Sequence, residues 1–129
     1  MKKSLLIVAV VLTTIPFIRC SSSDDSSTNN GAINHEQIYG WWYPNANTSI
    51  VHYKAYYFGA DGVYKQDQTN FNLGMGTGTW QWIGDSIIKM TPDLNGGIAG
   101  GAVTGRVFKL SQDSLVFASQ GLRLAKNTN

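Results

Sequence analysis

A single cysteine, Cys20, is the residue of this chain with the most defined chemical context. Because the 129 residues hold no second cysteine, Cys20 has no partner for an intramolecular disulfide and no companions for a cysteine-rich metal site. Lys2 and Lys3 open the chain, and an apolar run over residues 5–18 ends just before the cysteine. A positive start followed by a short apolar segment predicts a secretory signal over residues 1–19.

This region resembles the signal of bacterial lipoproteins, in which a lone cysteine at the end of the signal is acylated. Arg19 stands immediately before the cysteine, where such signals usually carry a small residue. The alternative is a retained membrane span, but the apolar run is short against the roughly 20 residues that a spanning helix needs. Pro16 would also disturb a helix near its end. The resemblance implies lipidation of Cys20. Because Ser21 follows it and not an aspartate, the resemblance also implies the outer membrane of a Gram-negative cell envelope.

Residues 20–32 are mostly serine, aspartate, threonine and asparagine. Such a segment buries too little apolar surface to offset its ordering entropy, so we predict a flexible polar tether. The serine run ends in Asp24 and Asp25, and it resembles the acidic surface-export tether of some Gram-negative phyla. A plain solvated linker is the alternative, which leaves the periplasmic and surface-exposed locations both open.

The charge balance of the mature part excludes one class of partner. The whole chain carries a formal charge of +2, but removal of residues 1–19 leaves seven basic residues against eight acidic ones. Since no run of basic residues survives, we expect no nucleic-acid partner. The remaining length suits one domain, predicted over residues 33–125, with a disordered tail at 126–129.

The folded part predicts an all-β domain. β-branched and aromatic runs alternate with turn residues such as Asp61 and Gly62, and helix is limited to one turn near residues 34–38. We predict strands at residues 38–43, 49–58, 63–67, 77–83, 86–91, 104–110, 114–119 and 122–124. Seven to eight short strands predict a small antiparallel up-and-down barrel. In the second predicted strand both faces carry aromatics, so the sequence does not decide which face points into the barrel.

Three motifs resemble those of small lipocalin-like domains of envelope lipoproteins. They are Gly40-Trp41-Trp42, Gly78-Thr79-Trp80-Gln81-Trp82 and Gly121-Leu122-Arg123. The resemblance implies that the barrel is closed by Arg123 packing across the indole of Trp42, a cation over an aromatic face. Because the chain is much shorter than a full lipocalin, a deep ligand cavity is not implied.

Several aromatic residues form a candidate ligand or partner surface, since flat rings bury much area at little entropic cost. The candidates are Trp82, Tyr43, Tyr53, Tyr56 and Tyr57. Ordinary packing is the alternative for each. Trp80 lies two residues before Trp82 and shares its face, and we expect Trp80 to belong to the core.

Metal binding and catalysis have little support in the sequence. The two histidines, His35 and His52, have no thiolate or carboxylate cluster beside them, so no metal site is expected. Three acids, Asp61, Asp85 and Asp113, fall in predicted turns, where backbone bonding accounts for them. No motif marks a nucleophilic serine. We therefore expect a protein that is not an enzyme and needs no cofactor.

A glycine-rich segment, residues 95–101, lacks the Lys-Ser/Thr of a phosphate loop and predicts a connection across a barrel mouth.

The sequence as a whole favours a lipid-anchored envelope protein that binds a small apolar ligand or a surface partner. An inhibitor of a protease or lysozyme and a structural part of an envelope assembly are the alternatives. Carriage of a small molecule would need a cavity above about 300 Å³.

Overall fold

A computed structural model describes residues 32–118 and 121–126 of the chain. Eight antiparallel strands follow one another around a closed barrel, each bonded to its sequence neighbours, and the last returns to the first. The predicted all-β, up-and-down barrel is therefore confirmed. The predicted signal, Cys20 and nearly all of the tether lie outside the described residues. No helix in the described ranges is long and apolar enough to cross a membrane.

The strands are short and joined mainly by turns and loops. They are β1 (Gly40–Pro44), β2 (Ala55–Phe58), β3 (Val63–Asp67), β4 (Met75–Gly84), β5 (Ile87–Pro92), β6 (Val103–Leu110), β7 (Ser114–Phe117) and β8 (Arg123–Ala125). Two 3-10 helices, His35–Ile38 and Thr69–Phe71, complete the described elements. The first of them is the single helical turn that the sequence predicted.

The second strand is shorter than predicted, because it begins at Ala55 and not at residue 49. The segment ahead of it makes two other hydrogen bonds in place of ladder pairing, one local and one to the loop before β8. The amide of Tyr53 donates to the hydroxyl of Tyr56 at 3.1 Å, and the amide of Ser49 donates to the carbonyl of Gly121 at 3.3 Å. Within β2 the faces are now settled, since Tyr56 and Phe58 join the buried core while Tyr57 is half-buried on the other face.

One end of the barrel is closed by the His35–Ile38 helix, and we call it the closed end. Ile38 and Trp42 are fully buried there. The indole Nε1 of Trp42 donates to the carbonyl of Ile38 at 2.6 Å, and that of Trp80 donates to the carbonyl of Gly59 at 2.9 Å. These bonds satisfy two buried indole donors and fix the helix across the barrel.

The opposite end, which we call the open end, carries the four loops that precede β2, β4, β6 and β8. The glycine-rich segment lies in the third of these loops, as predicted. One part of it is tied to β4, because Thr77 donates its amide to the carbonyl of Gly96 at 2.6 Å and its hydroxyl to Asp93 at 2.9 Å.

Beneath this loop, β4 carries glycine at an inward position. A Cβ added at Gly76 would collide with the side chains of Gln68 and Ile98. The missing side chain therefore makes room for Gln68, which is 2% exposed, and for Ile98 from the glycine-rich loop. Part of the barrel interior is filled from its own loops by this means.

Candidate ligand site at the open end

An interior cavity of about 210 Å³ lies at the open end of the barrel. Its apolar lining includes Phe58, Met90, Phe117 and Leu124, which point inward from four different strands. They do so because strand residues alternate between the two faces of a sheet. An apolar space of this kind favours an apolar ligand group.

A second hollow, which we call the mouth groove, lies beside the cavity. It measures about 420 Å³ and is lined by Val51, His52, Tyr53, Phe71 and Leu73. Val51 and Tyr53 also line the interior cavity, so the two spaces adjoin. Val51 is 84% exposed and Leu73 is 55% exposed, which makes the groove an apolar surface facing water.

Four side chains with polar groups line the cavity among the apolar ones: Tyr53, Tyr56, Tyr64 and Gln66. The amide of Gln66 donates to the hydroxyl of Tyr64 at 2.8 Å, and that of Gln68 donates to Gln66 at 3.3 Å. The hydroxyl of Tyr56 accepts the backbone amide of Tyr53. In these bonds both tyrosine hydroxyls are acceptors, so their own protons are available to a ligand acceptor.

Both hydroxyls stay protonated over a wide pH range. Burial raises the pKa of Tyr64 well above its ordinary value of 10, and this outweighs the opposing hydrogen bond from Gln66. Burial likewise raises the pKa of Tyr56. The cavity therefore offers neutral hydrogen-bond donors beside apolar surface, which suits an uncharged polar atom on an otherwise apolar ligand.

The five predicted surface aromatics do not form one surface. Tyr53 and Tyr56 line the cavity at the open end. Tyr57 lies on the outer face, where it packs against Trp41 at 5.2 Å between ring centres and Lys65 approaches its ring at 5.5 Å. Tyr57 therefore lies away from the cavity, because adjacent residues of a strand point to opposite faces.

Tyr43 and Trp82 also lie away from the cavity. Tyr43 is half-buried on β1, opposite Ala125. Trp82 is half-buried and stacks on the ring of His35, with 4.0 Å between ring centres and 10° between planes. Since His35 belongs to the closed-end helix, Trp82 sits at the closed end. Its indole Nε1 is buried and has no hydrogen-bond partner within residues 32–118 and 121–126. Trp80 is core, as expected.

The predicted closing pair needs a correction. The cation over the Trp42 ring is the ammonium of Lys126, at 5.1 Å from the ring centre, whereas Arg123 is exposed. The register explains this exchange. Tyr43 pairs with Ala125, so one further step brings residue 126 level with residue 42. Leu124 is fully buried, which turns the preceding Arg123 outward. Lys126 is thus part of the barrel and not of a disordered tail.

Sequence reasoning missed Gln66 of the cavity wall, Gln68 that bonds it, and Phe71 and Leu73 of the mouth groove. A signal for the first pair exists, because Tyr64 and Gln66 on β3 and Gln68 just after it follow a two-residue period. The signal for the second pair is weaker: two apolar residues in a loop otherwise rich in asparagine and glycine.

Both histidines and the turn acid Asp61 make hydrogen bonds to the backbone of the domain. His35 bonds through Nε2 to the carbonyl of Asp85 at 2.9 Å, and His52 bonds through Nδ1 to the carbonyl of Tyr53 at 3.1 Å. Asp61 accepts the amide of Val63 at 3.1 Å within its own turn. In the described part of the chain, no group of three or more His, Cys, Asp or Glu side chains is placed to hold a metal ion.

Comparison of the chain with models of known protein families, with curated proteins and with solved structures finds no match. The function is therefore argued from the geometry of the open end.

Proposed function

We propose that this protein is a non-catalytic binding protein that takes up a small, mainly apolar ligand at the open end of its barrel. The observation that carries the proposal is the adjacency of two apolar spaces. Val51 and Tyr53 line both the interior cavity and the exposed mouth groove, so the groove lies directly beside the barrel interior.

The size of the cavity limits the ligand. Pockets for drug-sized ligands hold about 300–1,000 Å³, and the interior cavity alone, at about 210 Å³, is smaller. An apolar cavity of about 150 Å³ still holds a molecule the size of benzene. The proposed ligand therefore places one compact apolar group in the cavity and the rest of its length in the mouth groove. A deep-seated, fully enclosed lipid does not fit.

The proposal includes attachment to the cell envelope through Cys20. Its support is the order of the sequence: a positive start, a short apolar run, a single cysteine and a polar segment. Acyl chains anchor by burying methylene groups, at about 0.8 kcal/mol each. A barrel tethered to the outer membrane in this way would meet apolar molecules that leave or enter the bilayer.

The binding half of the proposal is tested with 1-hexanol as the probe, added to the full chain labelled with ¹³C at its methionine methyl groups. Met90 lines the cavity and Met75 is an exposed residue at the start of β4. We expect the Met90 methyl resonance to shift with saturation while the Met75 resonance stays in place. Equal shifts at both residues, or no saturation at Met90, would overturn the cavity as a ligand site.

A matched pair of variants locates the entrance. Val51→Ser combined with Leu73→Ser removes two apolar groups from the mouth groove, so a longer probe such as 1-decanol should bind at least fivefold more weakly. Leu94→Ser removes a still more exposed apolar side chain of another open-end loop, and it should leave the affinity unchanged. The anchor is tested separately by the intact mass of protein from membrane fractions, which should show acyl chains that the Cys20→Ala variant lacks.

A further inference from the structure

Four cationic side chains gather on the outside of one half of the barrel. Lys89 lies on β5, Arg106 and Lys109 on β6, and Arg123 on β8. The register brings them onto neighbouring strands: Lys109 pairs with Val116, and Val116 pairs in turn with Arg123. Lys89 pairs with Thr104, two positions before Arg106 on the same face. We call this set, together with Phe108, the basic face.

The cations of the basic face have no carboxylate partner at ion-pair distance. Across residues 32–118 and 121–126, the ion pair within 4.0 Å is that of Lys54 with Asp67, which joins β3 to the loop before β2 and lies away from the basic face. The acids nearest along the chain are Asp85 and Asp113, in turns at the closed end, and Asp93, in the loop before β6. Asp85 lines a surface hollow together with Arg106 and Lys109. The basic face is thus a concentration of positive charge on a domain whose mature chain is close to neutral.

Phe108 adds an apolar group to the middle of these charges. The β6–β7 pairing slips between Val107 and Lys109, so that Phe108 is the extra residue of a bulge. Its side chain is 72% exposed, and the two flanking positions along the outer face are cationic. The neighbouring Val107 fills the core at 2% exposure, so the phenyl ring of Phe108 lies on the outer face, where it lines a surface hollow with Ile33.

We propose that the basic face docks on a phospholipid bilayer with anionic headgroups. Lysine and arginine near an anionic surface are attracted to its phosphates, and an aromatic side chain between them buries itself at the boundary of headgroups and acyl chains. Docking would lay the barrel on its side, with β6 toward the bilayer. This face would add a second, electrostatic contact to the lipid anchor in the proposed function, but it needs no ligand in the cavity.

The test uses the full chain with Cys20→Ala and vesicles of phosphatidylcholine, with or without 30% phosphatidylglycerol, in a flotation assay. Every variant retains residues 1–19, so their contribution to binding cancels in the comparison. Arg106→Gln combined with Lys109→Gln should lower the preference for anionic vesicles about 25-fold, at about fivefold for each cation. Lys54→Gln combined with Lys65→Gln removes the same charge from the opposite half, and it should change the preference less than threefold.

Salt and the phenyl ring provide two further readouts. Raising sodium chloride to 0.5 M should abolish the preference, since the screening length falls well below that at physiological salt. Phe108→Ser should weaken binding to anionic vesicles while leaving its salt dependence intact. Equal losses in the two double variants would overturn the proposal. So would binding to random-sequence DNA that exceeds binding to the vesicles, because the partner would then be a nucleic acid.

Discussion

The bond between Trp42 and the closed-end helix provides the sharpest test of how the barrel is held together. Trp42 is fully buried, its Nε1 donates to the carbonyl of Ile38 at 2.6 Å, and the ammonium of Lys126 lies over its ring. Trp42→Phe keeps an aromatic ring in place but removes the donor and part of the volume. The substitution therefore removes the hydrogen bond that ties the helix to β1 and loosens the packing around it.

Two losses set the size of the expected fall in the free energy of unfolding. Leaving the buried carbonyl of Ile38 without its donor costs about 1–3 kcal/mol. The space between a phenyl and an indole ring leaves a void larger than a methyl group, which costs about 1 kcal/mol or more. We therefore expect the free energy of unfolding to fall by about 3 kcal/mol. At about 4–8 °C per kcal/mol for a domain of this size, the melting temperature should drop by roughly 12–24 °C.

The assay is urea unfolding followed by far-ultraviolet circular dichroism on the full chain, with Trp41→Phe as the control. Trp41 is the neighbouring tryptophan, half-buried on the outer face against Tyr57. We expect Trp41→Phe to cost less than about 1 kcal/mol, because surface positions away from buried bonds are tolerant. Similar losses in the two variants would refute the reasoning that the Ile38 bond closes the barrel.

Two pH-dependent effects follow from the polar groups of β3. Burial raises the pKa of Tyr64, so its contribution to stability is fully present below pH 10 and is lost as the pH rises above it, where the unfolded chain ionises first. Urea midpoints at pH 8 and pH 11 should therefore differ less in Tyr64→Phe than in the wild type, and an equal difference would contradict this. The hydroxyl of Thr69, then its amide, and then Lys54 hold the pKa of Asp67 below its ordinary value of 3.8. The stability that the Asp67 carboxylate contributes is fully present above its ordinary pKa and is lost as the pH falls through its lowered pKa in the folded state. In a nuclear magnetic resonance titration, Thr69→Val should raise the pKa of Asp67 and Thr79→Val, at an exposed position on β4, should not.

The local part of the fold was predictable because its causes are local. Asp61 bonds the amide of Val63 within the same turn, and Gly62 adopts a φ of 82°, which side chains rarely allow. Such residues place a hairpin wherever they occur between β-prone runs. The prediction failed at the second strand, where an equally β-prone segment bonds to a distant part of the chain: the amide of Ser49 donates to the carbonyl of Gly121 in the loop before β8.

The candidate site was predictable only in part, because a run of aromatics does not reveal which of them face inward. Tyr56 lines the cavity and Tyr57, one residue later, packs on the outside. Closure of the barrel determines that Tyr56 and not Tyr57 faces inward, through the register that pairs Trp42 with Tyr56. The groove residues Phe71 and Leu73 come from a different loop, and their place beside Val51 depends on that closure as well.

The sequence by itself determined an all-β barrel with strands in chain order, since alternation and turn chemistry act over a few residues. Only the tertiary structure decided the size of the cavity, the cation over Trp42 and the basic face. Lys89, Arg106 and Arg123 are separated by many residues in a chain without a basic run, and they become neighbours only when their strands pair. Strand register converts distance along the chain into contact, and it is set by the packing of the whole barrel.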